Sequence, residues 1–174
     1  DPNSIKFWDD EFRKVNDKKY FSYEKSFDIN ELKDEYQNYV KRIFLKNSKI
    51  LLYLVTKIKI FNIFTDLKVY LHDQNFYIRI SLFNGLNMIN ETTPDIKLHS
   101  NSLMFIFKNE FGFDTLSVNG NFESSKNSFI TVTQHLAIGS LNAMGRSISF
   151  SSLFKPYIYL NFLKRLSRVK KKLI

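Results

Sequence analysis

Histidine and carboxylate side chains can together hold a metal ion. The chain has three histidines, His72, His99 and His135. A zinc site would need them to converge with a carboxylate such as Asp73, Asp95 or Glu110. Their spacing matches no ligand motif, and His72 falls on the polar side of a predicted hairpin strand. We therefore expect ordinary surface or rim histidines, and neither a metal nor a cofactor in this chain.

Serine, histidine and aspartate could also form a hydrolytic triad, and the chain contains many serines. No Gly-x-Ser-x-Gly segment is present to display a serine nucleophile on a sharp turn. The sequence therefore predicts no catalytic residue, and a small stand-alone hydrolase is kept as an alternative.

The segment from Gly139 to Arg146 is a candidate anion site, because exposed backbone amides and an arginine can hold a phosphate. Its two glycines, six residues apart, do not form a dinucleotide-binding fingerprint. A helix C-cap followed by a turn is the preferred interpretation.

The C-terminal segment from Leu153 to Ile174 interleaves aromatic and aliphatic residues with cations, and Pro156 can begin a helix. We predict a basic amphipathic helix. Its candidate anion-binding residues are Lys164, Arg165, Arg168, Lys170, Lys171 and Lys172. Three interpretations stay open: a helix docked on its own or a partner domain, a membrane-interface helix, and a nucleic-acid-binding segment.

Charge is distributed unevenly along the chain. Residues 1–123 hold 17 basic and 17 acidic side chains, so the whole net charge of +9 lies in residues 124–174, where no acid occurs. A hydrophobic content of 44% excludes a disordered chain, and the absence of cysteine excludes disulfides and thiolate metal sites. No apolar run approaches the roughly 18 to 20 residues that span a bilayer. The chain begins Asp1-Pro2, and we expect a cytoplasmic piece of a longer protein without a signal peptide.

The elements that would position these residues follow from periodicity. Asp28 and Glu31 resemble a capping box, and they open a predicted helix over Asp28–Asn47. Residues 50–64 suit a helix that passes into a strand. Alternating residues predict a hairpin of strands 66–73 and 76–83, a turn at Asn84-Gly85, and short strands at 86–89 and 95–99.

The second half should continue with a helix capped by Ser100 or Asn101, a strand over Thr115–Asn119, and a turn at Asn119-Gly120. A last helix should end near Gly139. We predict an α+β fold, with an antiparallel sheet covered by helices on one face. The domain limits expected are a lead-in segment over residues 1–27 whose aromatic residues dock on the core, the α+β domain over 28–150, and the basic tail over 151–174.

Residues Asp95-Ile96-Lys97-Leu98, a short helix, the segment from Gly112 to Phe122 and a final helix together resemble the sterol carrier protein fold. More closely, they resemble the sterol-carrier-like domain that follows the catalytic domain in some metallo-β-lactamase-fold proteins, including relatives of the sugar-nucleotide hydroxylases. The resemblance covers roughly residues 30–145.

This resemblance implies an apolar tunnel that holds lipid in the carriers and is often filled in the accessory domains. The matching helical faces carry Leu103, Ile106, Phe107, Phe129, Val132 and Leu136. The chain has no His-x-His-x-Asp-His metal motif, so any such chemistry would belong to an upstream hydrolase or hydroxylase domain.

We therefore expect a noncatalytic accessory or apolar-ligand-binding module. The alternative is an adaptor that binds a membrane surface, or less favourably nucleic acid, through the basic tail.

Overall fold

The computed structural model describes residues 6–7, 25–57 and 64–151. Within these ranges the sheet consists of β1 (Leu67–Leu71), β2 (Phe76–Ser81), β3 (Gly85–Ile89) and β4 (Ile96–Leu98). The α-helices of residues 25–57 and 64–151 are α1 (Ile29–Lys46), α2 (Lys49–Lys57), α3 (Ser100–Lys108), α4 (Gly112–Asn119), α5 (Lys126–Leu136) and α6 (Ile138–Ala143). The α+β class predicted from the sequence is confirmed.

Helix α1 begins as predicted. The side chain of Asp28 accepts hydrogen bonds from the backbone of Asn30 and Glu31, and Glu31 accepts one from the backbone of Asp28. This reciprocal arrangement satisfies amides that the first helical turn leaves without partners. Leu32, Tyr36, Tyr39 and Ile43 then form the buried stripe of the helix.

Helix α2 confirms the first half of the element predicted over residues 50–64. Phe64 lies in a turn with a φ of 57°, and the predicted strand otherwise falls on residues 58–63, outside the described ranges. The lead-in is described only at Lys6 and Phe7, which are helical and exposed, and from Lys25 onward.

The sheet has the order β3-β2-β1-β4. The predicted hairpin and the Asn84-Gly85 turn are confirmed, with antiparallel pairing of β1 with β2 and of β2 with β3. The prediction of a wholly antiparallel sheet is wrong, because β4 pairs with β1 in parallel. The chain crosses from the end of β3 to the opposite edge of the sheet before β4 begins, and such a crossover returns the chain in the parallel direction.

One face of the sheet is buried, and the other is partly exposed to solvent. Leu67, Val69, Leu71, Ile78 and Ile80 share a single core with the buried faces of the helices. The alternate side chains of Lys68, Tyr70, Tyr77 and Arg79 are partly exposed, whereas Ser81 at the end of β2 is buried. This is the arrangement expected of a sheet covered by helices on one side.

The predicted strand Thr115–Asn119 is wrong, because these residues belong to α4. Phe113 and Leu116, three residues apart, are buried, whereas Val118 is 85% exposed, so the pattern follows a helical period. Gly120 ends the helix with a φ of 68°, and its amide donates to the carbonyl of Leu116. A tight hairpin turn and a helix C-cap both need such a glycine, which explains the misassignment.

The last helical region contains two helices where one was predicted. Gly139 lies inside α6 and does not end α5. The helix end predicted for this segment instead follows α6, where Met144 is the C-cap and the next residue, Gly145, has a φ of 73°. The amides of Gly145 and Arg146 donate to the carbonyls of Asn142 and Leu141, so both are occupied by the helix end.

Candidate functional site

An aspartate, a histidine and a serine meet where the end of β1 lies beside the start of α3. The carboxylate of Asp73 accepts a hydrogen bond from the backbone amide of Ser100 at 2.8 Å and another from the Ser100 hydroxyl at 2.5 Å. The Nε2 atom of His99 lies 3.8 Å from the same carboxylate. These are the residue types of a hydrolytic triad.

The order of the contacts differs from that of a triad. In a triad the histidine lies between serine and aspartate and removes the serine proton. Here the Ser100 hydroxyl donates directly to Asp73, and the Nδ1 atom of His99 accepts from the amide of Asn101. The Ser100 oxygen also accepts from the backbone amide of Phe27, and the residue is fully buried. This cluster therefore fixes the start of α3, and the Ser100 hydroxyl in it is buried.

Asp73 is an acceptor at neutral pH. Burial by itself would raise its pKa, but hydrogen bonds from Ser100 and Ser26 and the nearby His99 bring the pKa below its ordinary value. The resulting carboxylate lies at the N-terminus of α3, where the helix dipole favours negative charge. His99 is the N-cap, so the prediction of Ser100 or Asn101 as the capping residue is wrong.

The third histidine is buried, so the expectation of a surface or rim residue is wrong for His135. Its Nδ1 atom is 2.8 Å from the carbonyl oxygen of Thr65, and because a carbonyl only accepts, Nδ1 carries the proton. Burial lowers the pKa of His135, and the hydrogen bond to Thr65 opposes this effect. His135 is thus a neutral core residue that ties α5 to the chain before β1.

The three histidines do not converge. His72 and His99 contact each other edge to face with ring centroids 5.5 Å apart, whereas His135 lies on α5. Among the described residues, no three histidine or carboxylate side chains are grouped as a metal site requires.

Five of the six residues on the predicted apolar helical faces lie in the core. These are Leu103, Ile106, Phe107, Val132 and Leu136. The ring of Phe107 packs 5.0 Å from that of Tyr36 and 5.6 Å from that of Tyr39, measured between centroids. Side chains from α1 therefore occupy the space against α3.

Phe129 is the sixth of these residues, and it lies at the margin of the core. It is 37% exposed, and its ring stacks on Phe122 with centroids 5.9 Å apart. Phe113 of α4 is next to it at 6.3 Å. Phe129 thus closes the gap between α5 and the segment that follows α4.

The candidate anion-binding residues Lys164, Arg165, Arg168, Lys170, Lys171 and Lys172 lie outside the described ranges. In the described part of the chain, no helix combines the length and the hydrophobicity needed to cross a membrane.

Comparisons with protein-family models, curated proteins and solved structures give no match.

Helix α2 carries an exposed apolar surface that was not predicted from the sequence. Leu51 and Leu52 of this helix are buried, yet Ile50, Tyr53 and Leu54 are exposed. The signal was present in residues 50–55, an unbroken apolar run that covers all sides of a helix although only one side can face the core.

Proposed function

We propose that this chain is a noncatalytic accessory module of a larger protein, with a closed apolar core in place of a ligand tunnel. The observation that carries this proposal is the burial of Leu103, Ile106, Phe107, Val132 and Leu136 in the same core as the sheet. In a carrier, such faces would line a space for lipid, whereas here aromatic rings of α1 pack against them. A core filled in this way stabilises the fold and leaves binding to the surface.

The bonding of Asp73 and Ser100 supports the noncatalytic part of the proposal. A nucleophile must reach a substrate, and its proton must pass to a base. The Ser100 hydroxyl is buried and is bonded to a carboxylate that also accepts from the backbone amide of Ser100.

The accessory role rests on the resemblance to the sterol-carrier-like domains that follow metallo-β-lactamase-fold domains. Helices packed on one face of a small sheet support this role, whereas the parallel β4 and the helix Gly112–Asn119 differ from the expected pattern. On this proposal, an upstream metal-dependent hydrolase or hydroxylase domain carries out the chemistry, and this module assists its folding or docking.

Solvent extraction of the purified full chain, followed by mass spectrometry, tests the closed core. We expect no lipid in stoichiometric amount. The matched variants Leu103→Ala and Phe129→Ala separate core from margin: we expect a large loss of stability for the first and a small one for the second. One bound lipid per chain in the wild type would contradict the closed core and favour an apolar-ligand carrier.

The accessory role has its own test, which is the reading frame upstream of the codon for Asp1. We expect it to encode a domain with the His-x-His-x-Asp-His motif. Hydrolysis of an ester or phosphoester by the purified chain, abolished in Ser100→Ala, would instead establish a stand-alone hydrolase.

A further inference from the structure

Helix α2 presents a stripe of large apolar side chains to solvent. Ile50, Tyr53 and Leu54 are 65%, 48% and 50% exposed. They are spaced three and four residues apart and therefore lie on one face of the helix. Leu51 and Leu52 anchor the opposite side in the protein. A rigid apolar stripe of this kind exposes area that binding could remove from water.

Lysines lie at both ends of the stripe. Lys49 is four residues before Tyr53, and Lys57 is four residues after it, so both flank the same face. The ammonium group of Lys49 lies 5.3 Å from the ring of Phe44, and that of Lys57 lies 5.2 Å from the ring of Tyr53. Their apolar stems can extend along the stripe while the charges stay in water.

The wider surroundings of the stripe are also cationic in sequence. Residues 36–65 contain six lysines and arginines and no acid. Two of these cations pair with acids from elsewhere, Lys46 with Glu110 and Arg42 with Glu35. Residues 124–174 contribute nine more cations and no acid, and the remaining residues carry a net charge of −6.

The fold joins these two acid-free regions at the start of α2. The amide of Ser48 donates to the carbonyl of Ile148 at 2.7 Å, and the amide of Ile148 donates to the side chain of Asn47 at 2.8 Å. Phe150, two residues beyond this connection, is exposed. Residues of the two acid-free regions are therefore bonded to each other where the apolar stripe begins.

We propose that the exposed face of α2 binds the surface of an anionic lipid bilayer. Apolar residues flanked by lysines suit the boundary between headgroups and acyl chains, and the acid-free regions complement anionic headgroups. The aliphatic side chains of Ile50 and Leu54 favour a bilayer over nucleic acid, because single strands are held by aromatic stacking and phosphate contacts. The occupant is thus a lipid surface, and the helix lies in its plane.

Tryptophan fluorescence in the full chain tests the orientation directly. Trp8→Phe removes the single native tryptophan, and Leu54→Trp then reports on the stripe. Val118→Trp is the matched control, since Val118 is also a highly exposed aliphatic residue on a helix. With vesicles of equimolar phosphatidylglycerol and phosphatidylcholine carrying brominated acyl chains, we expect quenching of the indole in the Leu54→Trp variant and none in the Val118→Trp variant.

Vesicle sedimentation supplies the affinity. Ile50→Ser with Leu54→Ser should weaken binding to the anionic vesicles about tenfold, and Val118→Ser should not change it. Replacing Lys49 or Lys57 by Gln should weaken binding roughly fivefold each, and added salt should weaken it further.

Three results would overturn the proposal. The first is wild-type binding by the double serine variant. The second is that the indole of the Leu54→Trp variant is shielded from solvent before lipid is added and is not quenched by the brominated vesicles. This result would mean that another part of the chain covers the stripe. The third is that the double serine variant and the lysine variants lose binding to a single-stranded oligonucleotide but bind vesicles as the wild type does. This result would assign the surface to nucleic acid.

Discussion

Replacing Asp73 by Ala is expected to lower the free energy of unfolding by about 3 kcal/mol. The carboxylate accepts two hydrogen bonds from Ser100, one from the amide and one from the hydroxyl. Hydrogen bonds to a charged group contribute about 1.5–3 kcal/mol each, and contributions from one shared group do not add fully. Because Ser100 is fully buried, its amide and hydroxyl would lose their partner where water cannot replace it.

Urea unfolding followed by circular dichroism measures this loss, and a double-mutant cycle with Ser100→Ala assigns it to the pair. We expect the double variant to be less than additively destabilised. The folded-state pKa of Asp73 lies below its ordinary 3.8, so its stabilisation is present above that pH and is lost as the pH falls through the folded-state value. The difference between wild type and Asp73→Ala should therefore shrink in acid. A loss below about 0.5 kcal/mol at neutral pH would refute the structural role assigned to the cluster.

Three further predictions concern the interior. The Tyr36 hydroxyl is buried and has no partner among the described residues, whereas the Tyr39 hydroxyl donates to a backbone carbonyl. In urea unfolding, Tyr36→Phe should therefore leave the free energy of unfolding unchanged or raise it. Tyr39→Phe should lower the free energy of unfolding by about 1 kcal/mol. His135 has a folded-state pKa below 6.5, so stability should fall below about pH 6.5, by up to about 1.4 kcal/mol per pH unit, and His135→Gln should flatten this slope in unfolding curves taken across that range. Gly112→Ala would place a Cβ atom 2.7 Å from the backbone of α3 and should lower the free energy of unfolding by about 1–3 kcal/mol. In Gly120→Ala the new Cβ atom meets no other atom, but the φ of 68° should still lower the free energy of unfolding by about 1 kcal/mol. Equal melting temperatures of Gly112→Ala and wild type would contradict the close approach of Gly112 to α3.

Local patterns predicted those elements whose sequence signal is also local. The start of α1 needs only Asp28 and Glu31, three residues apart, and its buried stripe follows one helical period. The β1–β2 hairpin needs only alternation and a polar turn. In both cases, the residues that fix the structure are neighbours along the chain.

Elements whose conformation depends on contacts between distant residues were predicted wrongly. Over the short segment 115–119, Leu116 and Val118 fit a strand as well as a helix, and the close packing of Gly112 against α3 selects the helix. The strand pairing expected there occurs further on, where the backbone of Glu123 bonds to Lys97 in a single bridge. The parallel direction of β4 likewise depends on a crossover that no residue pattern marks.

The chemistry of the candidate site likewise could not be predicted from residue types alone. Asp73, His99 and Ser100 could be named from the sequence, yet their meaning depends on which atom donates to which. A triad needs histidine between the other two, and here the serine proton goes to the carboxylate without it.

The proposed closed core leaves binding to the surface, and the exposed apolar residues there are not equivalent. A single exposed residue such as Val118 is ordinary on a soluble protein and needs no partner. Ile50, Tyr53 and Leu54 differ because they share one helical face, because lysines flank them, and because the opposite side of the helix is held in the protein. These three features together support the proposed lipid-binding surface over scattered hydrophobic exposure, and each can be removed separately by substitution.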